Sequence, residues 1–340
     1  MNAQAKALRR SLPAEWAHVL RTCSCHEGQP VDPVTRLLVV TRACVQPMTV
    51  ISVAIAGLLA VRAPGFDLLL FALAATGSIV AHAANNMIND YFDLKAGLDS
   101  ELYPRSQYAP HPVLAGLIDK QKLLRWIVAA NVIDAAIMVV LFAARGWPIL
   151  AFAVGGLVLS VGYVAPPLKF KYRGLGEPSV FFVWGPIMVG GTYYAATGSL
   201  PIQVLLASIP YALLVTSVLM GKHVDKLPWD VKEGVRTLPV VLGEERGRRV
   251  TVGLLVAYYL SVPALIVAGA LPVWTILVVL AVPTLRKTLA TYARPKPEAP
   301  PDRYPIWPLW FGPWAFRHSE RAGAWLLAGL VLGAIFPVAI

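Results

Sequence analysis

Charge is scarce in this sequence, and negative charge is the scarcest kind. Charged residues make up 14% of the chain, and Asp and Glu together number 19 in 340 residues. An ordinary soluble domain carries about 25% charged residues, whereas the mean hydropathy here is +0.61. These shortages exclude an ordinary soluble domain and indicate a chain that lies mostly within a membrane.

Cysteine is also rare, with three in the chain. Cys44 falls in the first apolar run, where we expect it to pack. Cys23 and Cys25 precede His26 in a cluster of possible soft-metal ligands, but the sequence has no second ligand pair to complete a zinc site. The cysteines therefore predict no disulfide framework, and residues 23–33 are interpreted as a free linker.

Apolar runs of membrane length occupy most of the chain. A transmembrane helix needs about 20 apolar residues, and we predict nine such spans: 37–61, 66–88, 123–144, 147–165, 178–197, 201–221, 250–270, 272–290 and 322–340. The prediction is an all-α, polytopic membrane protein with one membrane domain at residues 34–340. Residues 1–33 are predicted to be a cytoplasmic segment without a cleavable signal peptide, in which residues 11–21 form an amphipathic helix on the bilayer.

The positive charges lie on one side of this predicted topology. Lys and Arg number 30 and the formal net charge is +11. All but Arg62 and Arg145 fall in the N-terminal segment or in the even-numbered loops. By the positive-inside rule, the N-terminus is cytoplasmic and the C-terminus is outside. The excess charge thus reflects topology in a prokaryotic-type inner membrane, and we expect no nucleic-acid partner.

One stretch, residues 89–99, concentrates the scarce acidic residues at the end of the second span. Asn89 and Asp93 are four residues apart and share a helix face, whereas Asp99 joins them only if the chain turns at Gly97. Hard cations such as Mg²⁺ prefer carboxylate and amide oxygens. The stretch therefore predicts a Mg²⁺ site at a membrane surface, and a bound Mg²⁺ favours a phosphate-bearing substrate.

A second acidic segment follows the sixth span and carries Asp225 and Asp230. Their five-residue spacing does not give a shared helix face, so a bend at Pro228 is needed if both are to bind metal. Three polar residues at membrane depth, His82, Asn85 and His223, are candidates for lining a pocket.

Cations near these acidic segments are candidate phosphate ligands. Lys169 and Lys171 follow a double proline, and the alternative for them is positive-inside anchoring. Arg42 opens the first span, where it is either a snorkelling residue or a cation facing a phosphate. Arg105 lies in a long loop, residues 89–122, that is either a lid over the site or a solvated connection.

These motifs resemble the UbiA-type intramembrane prenyltransferases over residues 35–290. The Asn-Asp-Tyr-x-Asp-x-x-x-Gly-x-Asp pattern at 89–99 is most similar to the subgroup that prenylates 1,4-dihydroxy-2-naphthoate in menaquinone biosynthesis. The segments 171–177 and 234–243 are similar to the same subgroup. The resemblance implies a nine-helix bundle with a central cavity open to the cytoplasmic face.

This sequence departs from the family pattern in its second acidic motif, which is usually Asp-x-x-x-Asp. Aligned on Asp230, the first position is Lys226, and Asp225 lies one residue earlier. His111 stands where many members carry Arg. These departures keep other acceptors open: 4-hydroxybenzoate, another quinone precursor, a sugar phosphate or a tetrapyrrole.

The resemblance implies Mg²⁺-dependent transfer of a polyprenyl group from a polyprenyl diphosphate to a small aromatic acceptor. Asn89, Asp93 and Asp99 would hold one Mg²⁺, and Asp225 and Asp230 a second. Lys169, Lys171, Arg42 and Arg105 would bind the diphosphate. Tyr163 would steady the allylic cation or orient the diphosphate. The catalytic group would be Asp93, Asp230, Tyr163 and Lys171.

The residues alone leave two hypotheses of other functional classes open. Intramembrane carboxylates also suit a transporter, in which they lie near the bilayer midplane rather than at one surface. A non-catalytic lipid-binding or scaffold role is the other. No obligatory protein partner is inferred.

Overall fold

The computed structural model describes residues 11–26, 31–302, 304 and 306–338, and its regular structure throughout these residues is helical. Fourteen α-helices follow in chain order. They are α1 (Leu12–Thr22), α2 (Pro33–Val40), α3 (Pro47–Ala60), α4 (Leu68–Lys95), α5 (Pro104–Tyr108), α6 (Lys120–Arg145), α7 (Trp147–Val161), α8 (Gly176–Phe182), α9 (Met188–Thr197), α10 (Ile202–Lys232), α11 (Leu238–Leu242), α12 (Glu244–Val267), α13 (Val282–Tyr292) and α14 (Phe311–Ile335). The predicted all-α class is confirmed.

Within the described residues, five helical segments are long and apolar enough to cross a membrane: α4, α6, α10, α12 and the segment Val273–Tyr292 that ends with α13. Helices α3 and α7 are apolar but shorter. The protein is therefore an integral, multi-pass membrane protein, and the count of nine spans stays a prediction. The last predicted span begins earlier than expected, because α14 starts at Phe311.

The fifth predicted span, 178–197, is interrupted. A π-helical segment, Val183–Ile187, joins α8 to α9, and Gly185 within it has a non-helical backbone. The next residue, Pro186, has no N–H to donate, which breaks the helical hydrogen-bond ladder. A Cβ at Gly185 would lie 2.7 Å from the Cβ of Ala212, so the glycine also permits close contact with α10.

Helix α10 is the centre of the bundle and packs against α3, α8, α12 and α14. Its residues Tyr211, Leu214 and Val215 are almost fully buried. A Cβ at Gly323 of α14 would lie 2.8 Å from the Tyr211 ring. Such small residues let membrane helices approach closely, and this packing fixes the position of the charged residues at the C-terminal end of α10.

Helix α1 confirms the predicted amphipathic helix, but it packs on the protein. Val19 is fully buried, and the Trp16 indole donates to both carboxylate oxygens of Asp32 at 3.3 Å. The free linker predicted at residues 23–33 is wrong for its first four residues. Cys23 forms a disulfide with Cys44, with a Cα–Cα distance of 5.3 Å. His26 Nδ1 lies 2.6 Å from Glu15 Oε2. Residues 1–10 and 27–30 lie outside the described residues.

Cys44 therefore does more than pack in a membrane span. It belongs to a short 3₁₀ turn, Ala43–Val45, between α2 and α3. Sequence spacing gives little sign of this pairing, since the two cysteines are 21 residues apart. The pair fastens α1 beside Arg42, at the charged end of the bundle.

Candidate active site

A cavity of about 660 Å³ opens within the bundle, and its lining changes character along its length. One end is lined by the charged and amide groups of the last turns of α4 and α10 and of the loops between helices. The rest of the lining comes from α4, α6, α7 and α9 and is mostly apolar, with Ile137, Leu141 and Phe152 among its residues. The cavity thus offers a polar site for a charged group beside an apolar space for a hydrocarbon.

Asp90 is the most heavily paired acidic residue at the polar end. Arg105 Nε and Nη2 donate to its two carboxylate oxygens at 3.0 and 3.1 Å, and Arg42 donates to the same carboxylate. Asp90 is fully buried, and Arg105 is 5% exposed. Arg42 and Arg105 were both predicted, whereas Asp90 was missed. The helical spacing of Asn89 and Asp93 drew attention to their face of the helix and away from Asp90. The sequence signal that could have identified Asp90 is its position within the same acidic stretch.

Asp99 does reach this cluster, because the chain turns at Gly97, whose φ of +77° is favoured by glycine. Asp99 is 4% exposed, and its oxygens accept no hydrogen bond from any described residue. His111 Nε2 lies 3.4 Å from Asp99 Oδ2 and 3.9 Å from Asp90 Oδ1. Asp90, Asp99 and His111 thus offer three potential ligand atoms within 4.8 Å of one another.

Asp93 lies one turn beyond Asn89 on the same helix, and both line the cavity. Lys171 Nζ donates to Asp93 Oδ2 at 2.6 Å, and the Tyr172 hydroxyl donates to Oδ1 at 2.8 Å. Burial opposes the charged form of Lys171, but the carboxylates of Asp93, Asp99 and Asp230 together outweigh it and raise the pKa of Lys171 above its ordinary value. The ammonium therefore stays charged at the cavity wall.

Lys169, unlike Lys171, does not face the cavity. It is the residue before the 3₁₀ turn Phe170–Tyr172 and has a positive φ of 45°. Its ammonium lies 5.3 Å from the centre of the Tyr172 ring, and Lys169 is not among the described residues that line the cavity. The ammonium of Lys171 lies 5.4 Å from the centre of the same ring. Both lysines therefore lie beside Tyr172, and Lys171 is the one that lines the cavity.

Asp230 is held by residues from two different segments. The Tyr103 hydroxyl donates to its Oδ1 at 2.5 Å, and Lys226 Nζ donates to the Tyr103 hydroxyl at 2.8 Å. Lys226 Nζ lies 3.6 Å from Asp230 Oδ1. Burial and the Asp230 carboxylate both raise the pKa of Tyr103 far above its ordinary value, so the phenol remains a donor.

The structure does not place the Asp225 carboxylate beside that of Asp230. The backbone N–H groups of Phe311 and Gly312 donate to its two carboxylate oxygens at 2.9 and 2.8 Å. Asp225 therefore caps the start of α14, where a helix has unpaired N–H groups that favour an anion. Helix α10 is continuous through Pro228, so the bend that would have turned both carboxylates to one face is absent from this helix.

The predicted pocket residues His82 and Asn85 also line the cavity, as does Tyr163. His82 Nδ1 lies 2.7 Å from the Thr49 hydroxyl, and Asn85 accepts a hydrogen bond from Ser160 at 3.0 Å. Tyr163 lines the cavity beside Gly176, where a Cβ would lie 3.0 Å from its ring.

His223 has a buried carboxylate partner that the sequence did not suggest. Its Nδ1 lies 2.7 Å from Glu177 Oε1, and Glu177 is 1% exposed. His223 lines the cavity. An imidazole whose Nδ1 is held by a carboxylate has a fixed ring orientation, so Glu177 sets how His223 faces the cavity.

Tyr108 is a further cavity residue that was not assigned a role. Arg105 and Lys222 each place their cationic group 5.8 Å from the centre of its ring. Burial alone would raise the pKa of the Tyr108 phenol, but the cations of Lys222, Arg105, Arg42 and Lys226 lower it to about 8. The Tyr108 phenol therefore lies among several cations at the cavity mouth.

Residues 50–319 match the UbiA prenyltransferase family. The chain belongs to this family, and it is a prenyltransferase. It is 31% identical to the 1,4-dihydroxy-2-naphthoate octaprenyltransferase of Haemophilus influenzae over 231 residues, 66% of this chain and 73% of that protein. It is 25% identical to the Bacillus subtilis protein of the same name over 217 residues, 64% of this chain and 69% of that protein.

Relatives with a different name are equally similar by identity. The digeranylgeranylglyceryl phosphate synthase of Natronomonas pharaonis is 31% identical over 215 residues, 63% of this chain and 71% of that protein. Among solved structures, a UbiA homologue from Aeropyrum pernix aligns with a TM-score of 0.61 at 19% identity, covering 84% of this chain and 97% of that one. A homologue from Archaeoglobus fulgidus, bound to GPP and Mg²⁺, aligns at 0.55 and 16% identity, covering 86% and 99%. These structures establish the fold.

The first acidic stretch fits a divalent cation on its own chemistry. Asp99 has two buried oxygens that receive no hydrogen bond from a described residue, and leaving such groups unpaired is costly. Asn89 and Asp93 offer further oxygen ligands along the cavity wall. This donor set suits Mg²⁺. The second motif fits less well, because Asp225 is occupied by backbone donors and Asp230 is not among the described residues that line the cavity.

Proposed function

We propose that this prenyltransferase transfers a polyprenyl group from a polyprenyl diphosphate to 1,4-dihydroxy-2-naphthoate in a Mg²⁺-dependent reaction. The observation that carries the proposal is the cavity itself, which joins a cluster of cations and carboxylates to an apolar space. The two naphthoate octaprenyltransferases among its relatives support this acceptor. The Natronomonas relative makes a glyceryl phosphate acceptor the second candidate.

The donor diphosphate would bind among the cations of the cavity mouth. Arg42, Arg105, Lys171 and Lys222 all line the cavity. Arg105 and Arg42 are already aligned by Asp90, and Lys171 by Asp93. Guanidinium groups bind phosphate oxygens through paired N–H donors. Cations that are held in place before the substrate arrives need little reorganisation to stabilise the departing diphosphate.

The acidic stretch would hold the metal ion through Asn89, Asp93 and Asp99. When bound, Mg²⁺ would act as a Lewis acid on the diphosphate oxygens. The role of Asp99 follows from the turn at Gly97, which brings its unpaired oxygens to the cluster.

The rest of the cavity would hold the prenyl chain and the acceptor. The apolar lining from α4, α6, α7 and α9 suits the hydrocarbon tail. Departure of the diphosphate breaks the allylic C–O bond and leaves an allylic cation, which the aromatic carbon attacks to form the new C–C bond. With a naphthoate acceptor, the carboxylate on that carbon leaves as carbon dioxide. Tyr163 lines the cavity and would steady the cation, while His82, Asn85 and His223 would surround the acceptor.

The loop between α4 and α6 would exclude water from this reaction. Three of its side chains turn inward, since Tyr103, Arg105 and His111 are each at most 5% exposed, and this supports a role as a lid. An allylic cation reacts with any water that reaches it, so a closed mouth protects the transfer.

The placement of the carboxylates supports an enzyme at a membrane surface. Asp90 and Asp93 lie near the C-terminal end of α4, and Asp230 lies near that of α10. We propose that these ends face the cytoplasm in a nine-span bundle with the N-terminus inside. A transporter would carry such groups near the midplane.

The decisive experiment is a transfer assay with purified membranes, Mg²⁺, a radiolabelled polyprenyl diphosphate and a panel of acceptors. We expect product with 1,4-dihydroxy-2-naphthoate. Asp93→Ala should reduce the rate by more than roughly a hundredfold, because losing a metal ligand should cost more than losing a residue that only orients a ligand. Asp67→Asn is the matched control, because Asp67 caps the opposite end of α4.

The possible failures are distinct. Product with 4-hydroxybenzoate or a glyceryl phosphate alone would overturn the acceptor. If Asp93→Ala retains its Mg²⁺-dependent rate within a few-fold, the metal assignment is wrong.

A further inference from the structure

We propose that the second acidic motif of this prenyltransferase holds no metal ion and that the buried ammonium of Lys226 supplies positive charge to the donor diphosphate in its place. The inference rests on the proposed donor site. It starts from a disagreement: the family resemblance implies two Mg²⁺ ions, whereas this chain has Lys226 where the first Asp of the second motif is usual.

Asp225 cannot replace the missing acidic residue without breaking the start of α14. Both of its oxygens are taken by the N–H groups of Phe311 and Gly312. Helices α10 and α14 approach closely here, since a Cβ at Gly312 would lie 3.1 Å from the Cα of Lys222 and 3.3 Å from Asp225 Oδ2. Turning Asp225 toward the cavity would leave these backbone donors unpaired in a buried place, which is unfavourable.

Asp230 is shielded from the cavity by the lysine and a tyrosine. It is fully buried, and the described cavity wall at this point consists of Tyr103 and Lys226. The three side chains form a closed group, in which Tyr103 donates to Asp230 and Lys226 donates to Tyr103. The remaining oxygen, Asp230 Oδ2, accepts no hydrogen bond from a described residue. Asp230 thus has one oxygen free and is not among the described residues that line the cavity, whereas Asp93 is. A divalent cation at Asp230 would have no open side for the diphosphate, so this carboxylate is a poor site for a catalytic ion.

The ammonium is instead placed to meet the substrate. Lys226 is 4% exposed, and it lines the cavity together with Lys222 and Lys171. A lysine ammonium is a compact charge with three donors. With one hydrogen bond given to Tyr103, Lys226 retains donors for a phosphate oxygen. The site therefore combines one metal ion at the first motif with a fixed cation at the second.

The test counts bound ions rather than turnover. The full-length protein in detergent micelles is titrated with Mn²⁺ in the presence of geranyl S-thiolodiphosphate, a donor analogue whose bridging sulfur resists ionisation, and bound Mn²⁺ is measured by electron paramagnetic resonance. We expect one Mn²⁺ per chain for the natural protein and two for Lys226→Asp. The matched control is Lys232→Asp, the same charge change at an exposed position on the same helix, which should keep one.

A second measurement does not depend on the folding of the aspartate variant. Lys226→Met should weaken binding of the analogue by about tenfold, as expected for the loss of one charge-assisted hydrogen bond, with the ion count unchanged. Unchanged affinity would show that Lys226 does not act on the diphosphate and would overturn its role. Two Mn²⁺ ions in the natural protein would overturn the inference alone. No bound Mn²⁺ at all would overturn the proposed donor site with it.

Discussion

Arg105 donates hydrogen bonds to both carboxylate oxygens of Asp90, at 3.0 and 3.1 Å, although the two residues are 15 positions apart in the chain. Arg42, which precedes α3, donates to the same carboxylate. A single fully buried acidic residue therefore holds two guanidinium groups at the cavity mouth. Asp90 organises the site without itself lining the described part of the cavity.

We expect Asp90→Asn to destabilise the protein because it leaves two buried guanidinium groups without a counter-charge. Breaking a buried ion pair by removing one partner costs about 3–5 kcal/mol. The measurement is thermal unfolding in detergent, followed by tryptophan fluorescence. Burial opposes the charge of Arg42, but Asp90 keeps the pKa of Arg42 above its ordinary value, so the arginine stays charged in the natural protein at any ordinary pH.

Two comparisons test this explanation. The exposed helix cap Asp67→Asn should change stability by less than about 0.5 kcal/mol, since Asn caps helices as well as Asp does. Adding inorganic diphosphate should restore part of the stability of Asp90→Asn, because the anion replaces the lost charge. An unchanged melting temperature for Asp90→Asn would contradict the role of Asp90.

Glu177→Gln should impair acceptor use while leaving donor binding intact. Glu177 Oε1 lies 2.7 Å from Nδ1 of His223, which faces the cavity. A hydrogen bond to a charged group is worth about 1.5–3 kcal/mol, so kcat/KM for the acceptor should fall by roughly ten- to a hundredfold. Steady-state kinetics with each substrate varied in turn measures the effect, and KM for the donor should not change.

The contact between Glu177 and His223 also predicts that substitutions at the two residues have non-additive effects on kcat/KM for the acceptor. His223→Ala in the Glu177→Gln background should cause little further loss, because residues in one hydrogen-bonded unit act together. Glu233→Gln, at the exposed end of α10, is the control. Full additivity of the two changes would show that Glu177 does not act through His223.

The sequence predicted much of the first motif but little of the second. Runs of apolar residues and helical spacing identified α4 and the face of Asn89 and Asp93. The turn that brings in Asp99 required only a glycine, and Gly97 supplies it. These features are local, so they can be read from neighbouring residues.

What the sequence did not predict depends on contacts between distant segments. Asp225 was expected beside Asp230, but the start of α14, 86 residues away, takes its carboxylate. Glu177 and His223 are 46 residues apart and meet only because α8 packs on α10. The disulfide from Cys23 to Cys44 likewise requires α1 to fold back on the bundle. No periodicity within one segment carries such information.

Tyr108 should give donor binding a dependence on pH. Burial alone would raise the pKa of its phenol, but Lys222, Arg105, Arg42 and Lys226 hold that pKa at about 8, below the ordinary value of 10.0. Below pH 8 the phenol is neutral and the cations are free to bind diphosphate. As the pH rises through 8, the phenolate forms and competes with the diphosphate for these cations.

We therefore expect KM for the donor to rise above pH 8, by up to about tenfold per pH unit, the limit for one titrating group. Tyr108→Phe should reduce this rise, and Tyr91→Phe, which removes a phenol beside Lys120, should not. Stability changes with the opposite sign. Because the pKa is lowered by folding, the phenolate's contribution to stability is complete above the ordinary tyrosine pKa and is lost as the pH falls through about 8. A donor KM that rises equally in Tyr108→Phe would assign the titration to another group, whereas a smaller rise in that variant alone would place an ionisable phenol at the mouth of the donor site.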